Sequence, residues 1–344
     1  MGVPDGSERQ QHRGVFPHTP TRKTGTLGRL AQEGGAHRVG KEIVTAADVL
    51  MEGLVDYAGL FPPASQDMRT AVESYAAYRA GPDHLALGRF IVPIARLAEF
   101  EESARSLLPR GHASHPWRLS VLVADDLRAA GEQMLKFNCH HWSGSDDGHA
   151  VIDSVELKAV TPEDIDDQSA GLPRFFQRYF EIPLGRDLQA LVEAIARVGA
   201  RAKVRTGGVT SKAFPAARDI VDFLVACHQE GVAFKATAGL HHPVRGSYRL
   251  TYEKNSDEGT MYGFLNLFVA AALVSQGAPE STALAALEES EASAFEISGD
   301  SIIWRGHRIE ASKLRDVRTG FAISFGSCSF REPVDEFAEL ISAR

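Results

Sequence analysis

Arg201-Ala202-Lys203-Val204-Arg205-Thr206-Gly207-Gly208 is echoed downstream by Phe234-Lys235-Ala236-Thr237-Ala238-Gly239. Each stretch reads as a short strand closed by a glycine turn. Period-2 alternation sets Lys203 and Arg205 on one face of the first strand, and Lys235 and Thr237 on the matching face of the second. A helix-like run precedes each, over residues 187–198 and 216–229. Strands that alternate with helices pair in parallel and are buried on both faces, where an unpaired ammonium is costly. Two lysines at matched positions on successive strands therefore mark a site.

The same unit repeats on either side. Upstream, helix-like runs at 67–79, 97–108, 127–137 and 162–168 lead into strand-like runs at 87–94, 118–124, 151–160 and 178–183. A first strand ends at Asp56-Tyr57-Ala58-Gly59-Leu60-Phe61-Pro62-Pro63, whose prolines cannot continue a ladder. Downstream, 239–259 reads as a long loop, 260–275 as an apolar helix, 321–326 as an eighth strand and 334–341 as a last helix. Eight strands and eight helices predict an α/β chain folded as a (β/α)8 TIM barrel over residues 44–344, with a doubly wound open sheet as the alternative. Residues 279–319 read as an insertion before the eighth strand: a helix, then a hairpin of 295–297 with 301–304 around Gly299-Asp300.

In a barrel, alternation says which side chains point inward. Strand four offers Glu156 and Lys158, strand five Tyr179 and Glu181, strands six and seven Lys203, Arg205, Lys235 and Thr237, and strand two Arg89. Interiors of this fold are dominated by Val, Ile and Leu, so charges of both signs need an explanation. One reading is a buried ion-pair network with no chemistry. The other is that one lysine is held neutral by desolvation and a neighbouring cation, and so acts as a carbonyl nucleophile.

Lys203 in its Lys-Val-Arg-Thr-Gly-Gly strand end and Lys235 in Phe-Lys-Ala-Thr-Ala-Gly resemble the sixth and seventh strands of class I aldolases of the deoxyribose-phosphate aldolase type. That family carries a Schiff-base lysine on strand six and a second lysine on strand seven. The resemblance implies lyase chemistry without a cofactor, Lys203 forming the Schiff base and Lys235 lowering its pKa. Glu181 or Glu156 would then serve as acid or base.

The remaining candidates concern the ligand. Gly207-Gly208 opens one βα loop, and Gly326-Ser327-Cys328-Ser329 precedes the last helix. Small residues there let backbone N–H groups and hydroxyls reach an anion. With Arg205, Thr206, Thr237, Arg245 and Asp56 nearby, the expected substrate is a small phosphorylated or carboxylated carbonyl compound. Of His241 and His242, adjacent on an extended loop, at most one faces the site, and it can act as acid or base. Together with the inward carboxylates they also suggest a metal-assisted hydrolase or decarboxylase, although no metal-binding spacing supports one. A non-catalytic binder of an anionic metabolite is the third reading. Phe61 and its prolines would form a rigid wall. Cys328 stands near a helix N-terminus, which lowers a thiol pKa. Cys139-His140-His141 falls at the N-terminal side of the barrel, where residues serve stability.

Composition bounds the setting. A formal net charge of -8 over 344 residues argues against nucleic-acid binding. No apolar run approaches the ~20 residues of a membrane span, and 264–274 reads as a buried helix. Three scattered cysteines fit a reducing cytoplasm. A homo-oligomer is left open. Residues 1–43 lack aliphatic periodicity and read as a disordered tail, whose basic excess suits a transit peptide and a mis-assigned start codon equally.

Overall fold

The computed structural model describes residues 44–342 apart from 112–114, 125 and 143–146; the tail expected over 1–43 lies outside the described residues. Seven barrel strands run in chain order: β1 (Val55–Tyr57), β2 (Leu87–Pro93), β3 (Trp117–Leu122), β4 (Ala150–Lys158), β5 (Gln177–Glu181), β6 (Arg201–Arg205) and β7 (Phe234–Thr237). The chain then adds a hairpin of β8 (Gly246–Arg249) and β9 (Glu258–Met261). A three-stranded antiparallel sheet of β10 (Phe295–Ile297), β11 (Ser301–Trp304) and β12 (His307–Glu310) follows, before the eighth barrel strand, β13 (Ala322–Ser327). The barrel strands are all parallel, in the order β1-β13-β7-β6-β5-β4-β3-β2, and β1 pairs with both β13 and β2. Closure leaves no edge, which excludes the open doubly wound sheet and gives a (β/α)8 barrel.

Before the barrel stands α1 (Ala46–Met51). Around it follow α2 (Met68–Ala80), α3 (Leu97–Ala104), α4 (Leu127–Trp142), α5 (Pro162–Ala170), α6 (Leu188–Arg197) and α7 (Ala217–Gln229). The last four are α8 (Phe264–Ser275), α9 (Glu280–Glu288), α10 (Ala311–Gly320) and α11 (Arg331–Ser342). Their starts are written locally. Asp67 caps α2 by accepting the Thr70 N–H at 2.9 Å, and Thr161 forms a capping box with Asp164 on α5, with Pro162 in the first turn. In α8 every residue from Phe264 to Val274 is buried, because α7, α9 and α10 cover the side turned from the barrel. No helix of the described residues is long and apolar enough to cross a membrane.

Two expectations need correction. The long loop after β7 contains the β8–β9 hairpin, so 258–261 is strand and the helix begins at Phe264. Gly259 permits that pairing, since a Cβ there would lie 2.9 Å from Leu250 Cδ2. The insertion has a third strand, β12. It is reached through Arg305-Gly306, both at positive φ, as a two-residue hairpin turn requires.

The N-terminal end of the barrel is plugged by polar side chains. Arg89 forks onto Asp153 at 2.6 and 3.1 Å and donates to Gln177 at 3.1 Å, while Arg201 donates to Gln177 and to the Tyr179 hydroxyl. Asp153 breaks strict alternation: the β3–β4 register shifts between Leu119 and Ser120, and the resulting bulge turns its carboxylate toward Arg89 and Arg118. Arg89 thus points inward as expected, but at the end away from the mouth.

Candidate active site

Above that plug, five strands deliver an alternating chain of charges, linked from the barrel's centre to its mouth. Asp56 on β1 lies 2.6 Å from Lys235 Nζ on β7, which lies 2.7 Å from Glu156 Oε1 on β4. The other oxygen of Glu156 lies 2.7 Å from Lys203 Nζ on β6, which is 2.8 Å from Glu181 on β5. Glu181 in turn accepts from Arg205 Nε at 3.1 Å. Side-chain exposure climbs along the chain, from 1% at Asp56 and Lys235 to 5% at Lys203, 12% at Glu181 and 49% at Arg205. Three carboxylates meet three cations, so the desolvation of each ion is met by opposite charge and a hydrogen bond.

Carboxylates, rather than the other ammonium, stand against each lysine. Burial works against the Lys235 ammonium, but Asp56 and Glu156 outweigh it and hold its pKa above the usual lysine value; the Tyr179 ring, 5.3 Å from Nζ, adds a cation–π contact. Burial likewise disfavours the Glu156 carboxylate, and Lys203 with Lys235 overcome it and push its pKa well below the ordinary carboxylate range. Glu181 is lowered in the same way, by Lys203 and Arg205 against burial. Glu156 stands between the two ammonium groups, so Lys235 is a charge already spent on its own carboxylates. Lys158 is exposed.

A cavity of about 370 Å³ opens above the chain. One wall is polar, with Glu156, Lys203, Arg205, Gly207, Gly208, Thr237, His241, Gly326 and Cys328; the other is apolar, with Phe61, Pro62, Pro63, Ile91 and Leu122. Lys203 lines it, and Lys235 does not. The glycines are there for clearance: a Cβ on Gly207 would lie 2.5 Å from Phe214 Cε1 and 2.9 Å from the Gly239 backbone, so the loops after β6 and β7 touch main chain to main chain.

Several expected anion ligands fall elsewhere. Asp56 lies beneath the cavity with its oxygens taken by Lys235, the Ser324 hydroxyl and the Arg89 N–H. Thr206 is buried and donates to the Ala238 carbonyl at 2.6 Å. The Ser327 hydroxyl accepts the Ser329 N–H, and the Ser329 hydroxyl accepts the Glu332 N–H at the start of α11, so both cap the turn. Arg245 sits off the cavity wall, with its own N–H on Asn266. A larger cleft, about 850 Å³, lies on the outside between α5 and α6. Its Arg178 donates to the Ser169 and Val198 carbonyls at the ends of those helices, which is a capping role.

His241 lines the cavity and His242 does not. The Nδ1 of His241 is 2.8 Å from Glu332, and that of His242 is 2.8 Å from Glu336, its ring stacked on Tyr248. Neither histidine is paired with Asp56, Glu156 or Glu181, which are held by lysines; their carboxylate partners are Glu332 and Glu336. Among the described residues the only group with metal-donor geometry is Glu101, His140 and His141, at the outer helices. Sequence reasoning missed Glu332, Tyr252, Ser120 and Asp153. The Ser120 hydroxyl donates to Glu156 at 2.8 Å; its period-2 position on β3 was the available signal. No known protein-family model matches the chain, and no curated protein matches it either.

Proposed function

We propose that the barrel mouth is the active site of an aldolase-like lyase that acts on a small anionic carbonyl compound through an imine on Lys203. One observation carries this reading: Lys203 Nζ lies on the cavity wall between two carboxylates, each within 2.8 Å. The fold is one that places chemistry at this end of the strands.

Imine formation needs an amine that can release a proton and regain one. Glu156 is tied to Lys235 and Ser120 as well as to Lys203, and stays ionised. Glu181 is nearer solvent; it stays charged beside Lys203 and passes the ammonium proton on to water across their 2.8 Å contact. The free amine then attacks the substrate carbonyl, a proton returned through Glu181 lets the oxygen leave as water, and the resulting iminium draws in the electron pair of the bond between the α and β carbons as it breaks. The β-hydroxyl gives its proton to Glu181 and departs as the carbonyl of the released fragment. The enamine left on Lys203 is protonated at the α carbon and hydrolysed to free the second product and the amine. Lys235 keeps Glu156 charged and in place throughout. The half-exposed Arg205 guanidinium binds the substrate's anionic group, and the Phe61-to-Leu122 wall takes its apolar part. The volume, at the small end of the ~300–1,000 Å³ usual for ligand sites, suits a compact metabolite.

Turnover of a panel of carbonyl acids and sugar phosphates by Lys203→Met tests this. Loss of at least ~1,000-fold in kcat, in a variant with unchanged circular dichroism, is expected for removal of a covalent residue. Retained turnover would overturn it.

A further inference from the structure

The cavity has a second reactive group that plays no part in the lysine chemistry. Cys328 follows β13 and lines the wall. His241 Nε2 lies 3.9 Å from its Sγ, and His241 Nδ1 lies 2.8 Å from Glu332 Oε2. Tyr252, in the turn between β8 and β9, donates to the same Glu332 oxygen at 2.9 Å and stands 3.7 Å from Sγ. A thiol beside an imidazole whose other nitrogen is held by a carboxylate is the order a nucleophile, its base and an orienting group require. Four separate segments supply it: the β13–α11 turn, the loop after β7, α11 and the β8–β9 turn.

A passive cysteine looks different, and the chain contains one. Cys227 on α7 is fully buried, with its thiol pushed up by burial alone. Beside Cys328 burial is not what decides: contacts with the Cys328 sulfur and Glu332 outweigh it and raise the His241 imidazole to about 10, so the ring readily keeps the proton it takes from the thiol.

We propose that Cys328 is a thiol nucleophile of this cavity, with His241 as its base and Glu332 as a positioning residue, and that it accepts the acyl group of an ester or thioester. His241 takes the thiol proton as sulfur bonds to the acyl carbon. The bond to the leaving alcohol or thiol breaks with its electron pair, and the leaving group takes the proton from His241. Water then attacks the enzyme thioester, releasing the carboxylic acid and restoring the thiol. The apolar wall of Phe61, Pro62, Pro63, Ile91 and Leu122 accommodates the acyl chain.

The three cysteines make the test internal. The full chain is treated with p-nitrophenyl acetate, and acetyl groups are counted and mapped by mass spectrometry. Exposed Cys139 serves as the reference thiol and Cys227 as the inert one. The titratable groups facing Cys328 are His241, Glu332, Tyr252 and, from β1, Tyr57. The expected result is a burst of about one equivalent on Cys328, at least ~10-fold faster than on Cys139, despite its burial. His241→Asn should slow it by about 100-fold. Glu332→Gln should lose the rate selectively below about pH 8, where an ordinary thiol is protonated. Acetylation of Cys139 first, or a Cys328 rate unchanged by His241→Asn, would overturn the proposal. If either variant fails to fold, the Cys328-to-Cys139 ratio in the unsubstituted chain decides alone. Acetyl on Cys328 and a reduced imine on Lys203 map to different peptides, so this proposal and the lyase reading can fail independently.

Discussion

Replacing Lys235 by Met should destabilise the barrel far more than replacing Lys203 by Met, although the two occupy matched positions on adjacent strands. Lys235 contacts Asp56 at 2.6 Å and Glu156 at 2.7 Å, and all three side chains are at most 2% exposed. At an effective dielectric of ~20, each contact is worth about 6 kcal/mol of gross Coulomb energy, set against several kcal/mol of desolvation per ion. Removing the ammonium leaves Asp56 with only hydrogen-bond donors, and a buried charge stripped of its partner costs about 3–5 kcal/mol. Lys203→Met leaves Glu181 on Arg205 and Glu156 on Lys235 and Ser120, so the loss should be only about 1–2 kcal/mol. Equilibrium urea unfolding followed by fluorescence and circular dichroism measures both. Adding Asp56→Asn to Lys235→Met should recover about 1–3 kcal/mol, because the stranded charge is gone. A Lys235→Met chain as stable as the unsubstituted one, or a Lys203→Met chain less stable than Lys235→Met, would refute the division of the two lysines into a structural and a working one.

The same network sets a pH window for stability. Glu156 and Glu181 titrate lower folded than unfolded, so their contribution is complete above about pH 5 and is lost on acidification. Lys235 titrates higher folded than unfolded, so its contribution is complete below about pH 10 and is lost as alkali rises. Urea midpoints measured from pH 4 to 11 should hold between those limits as far as this network is concerned; a steady rise from pH 5 to 9 would contradict it. Arg205→Ala should raise KM for an anionic substrate by about 10-fold with little change for a neutral analogue, since the lost contact is a half-exposed charge-assisted hydrogen bond.

The barrel was legible because its signal is local and repeated: strands of alternating polarity, helices of 3.6 periodicity, and turn residues between them. Lys203, Lys235, Glu156 and Glu181 were legible for the same reason, as charges on faces that the fold must bury. What local pattern does not carry is partnership. That Glu156 sits between both lysines, and that Asp56 seals Lys235 from below, depends on the stagger of strands far apart in the chain. His241 meets Glu332, and Tyr252 meets Cys328, across long separations with no motif to announce them. Ser327 and Ser329 were misplaced because a hydroxyl near a helix start serves its own backbone as readily as a ligand. The third strand of the inserted sheet was overlooked although Arg305-Gly306 is the turn it needs.

The most direct test of the central claim is borohydride reduction in the presence of small aldehydes, ketones and sugar phosphates, read by intact mass and peptide mapping. The account predicts one reduced adduct per chain, on Lys203, with Lys235 unmodified inside its pair of carboxylates. An adduct on Lys235, or none with any carbonyl that the protein turns over, would contradict it.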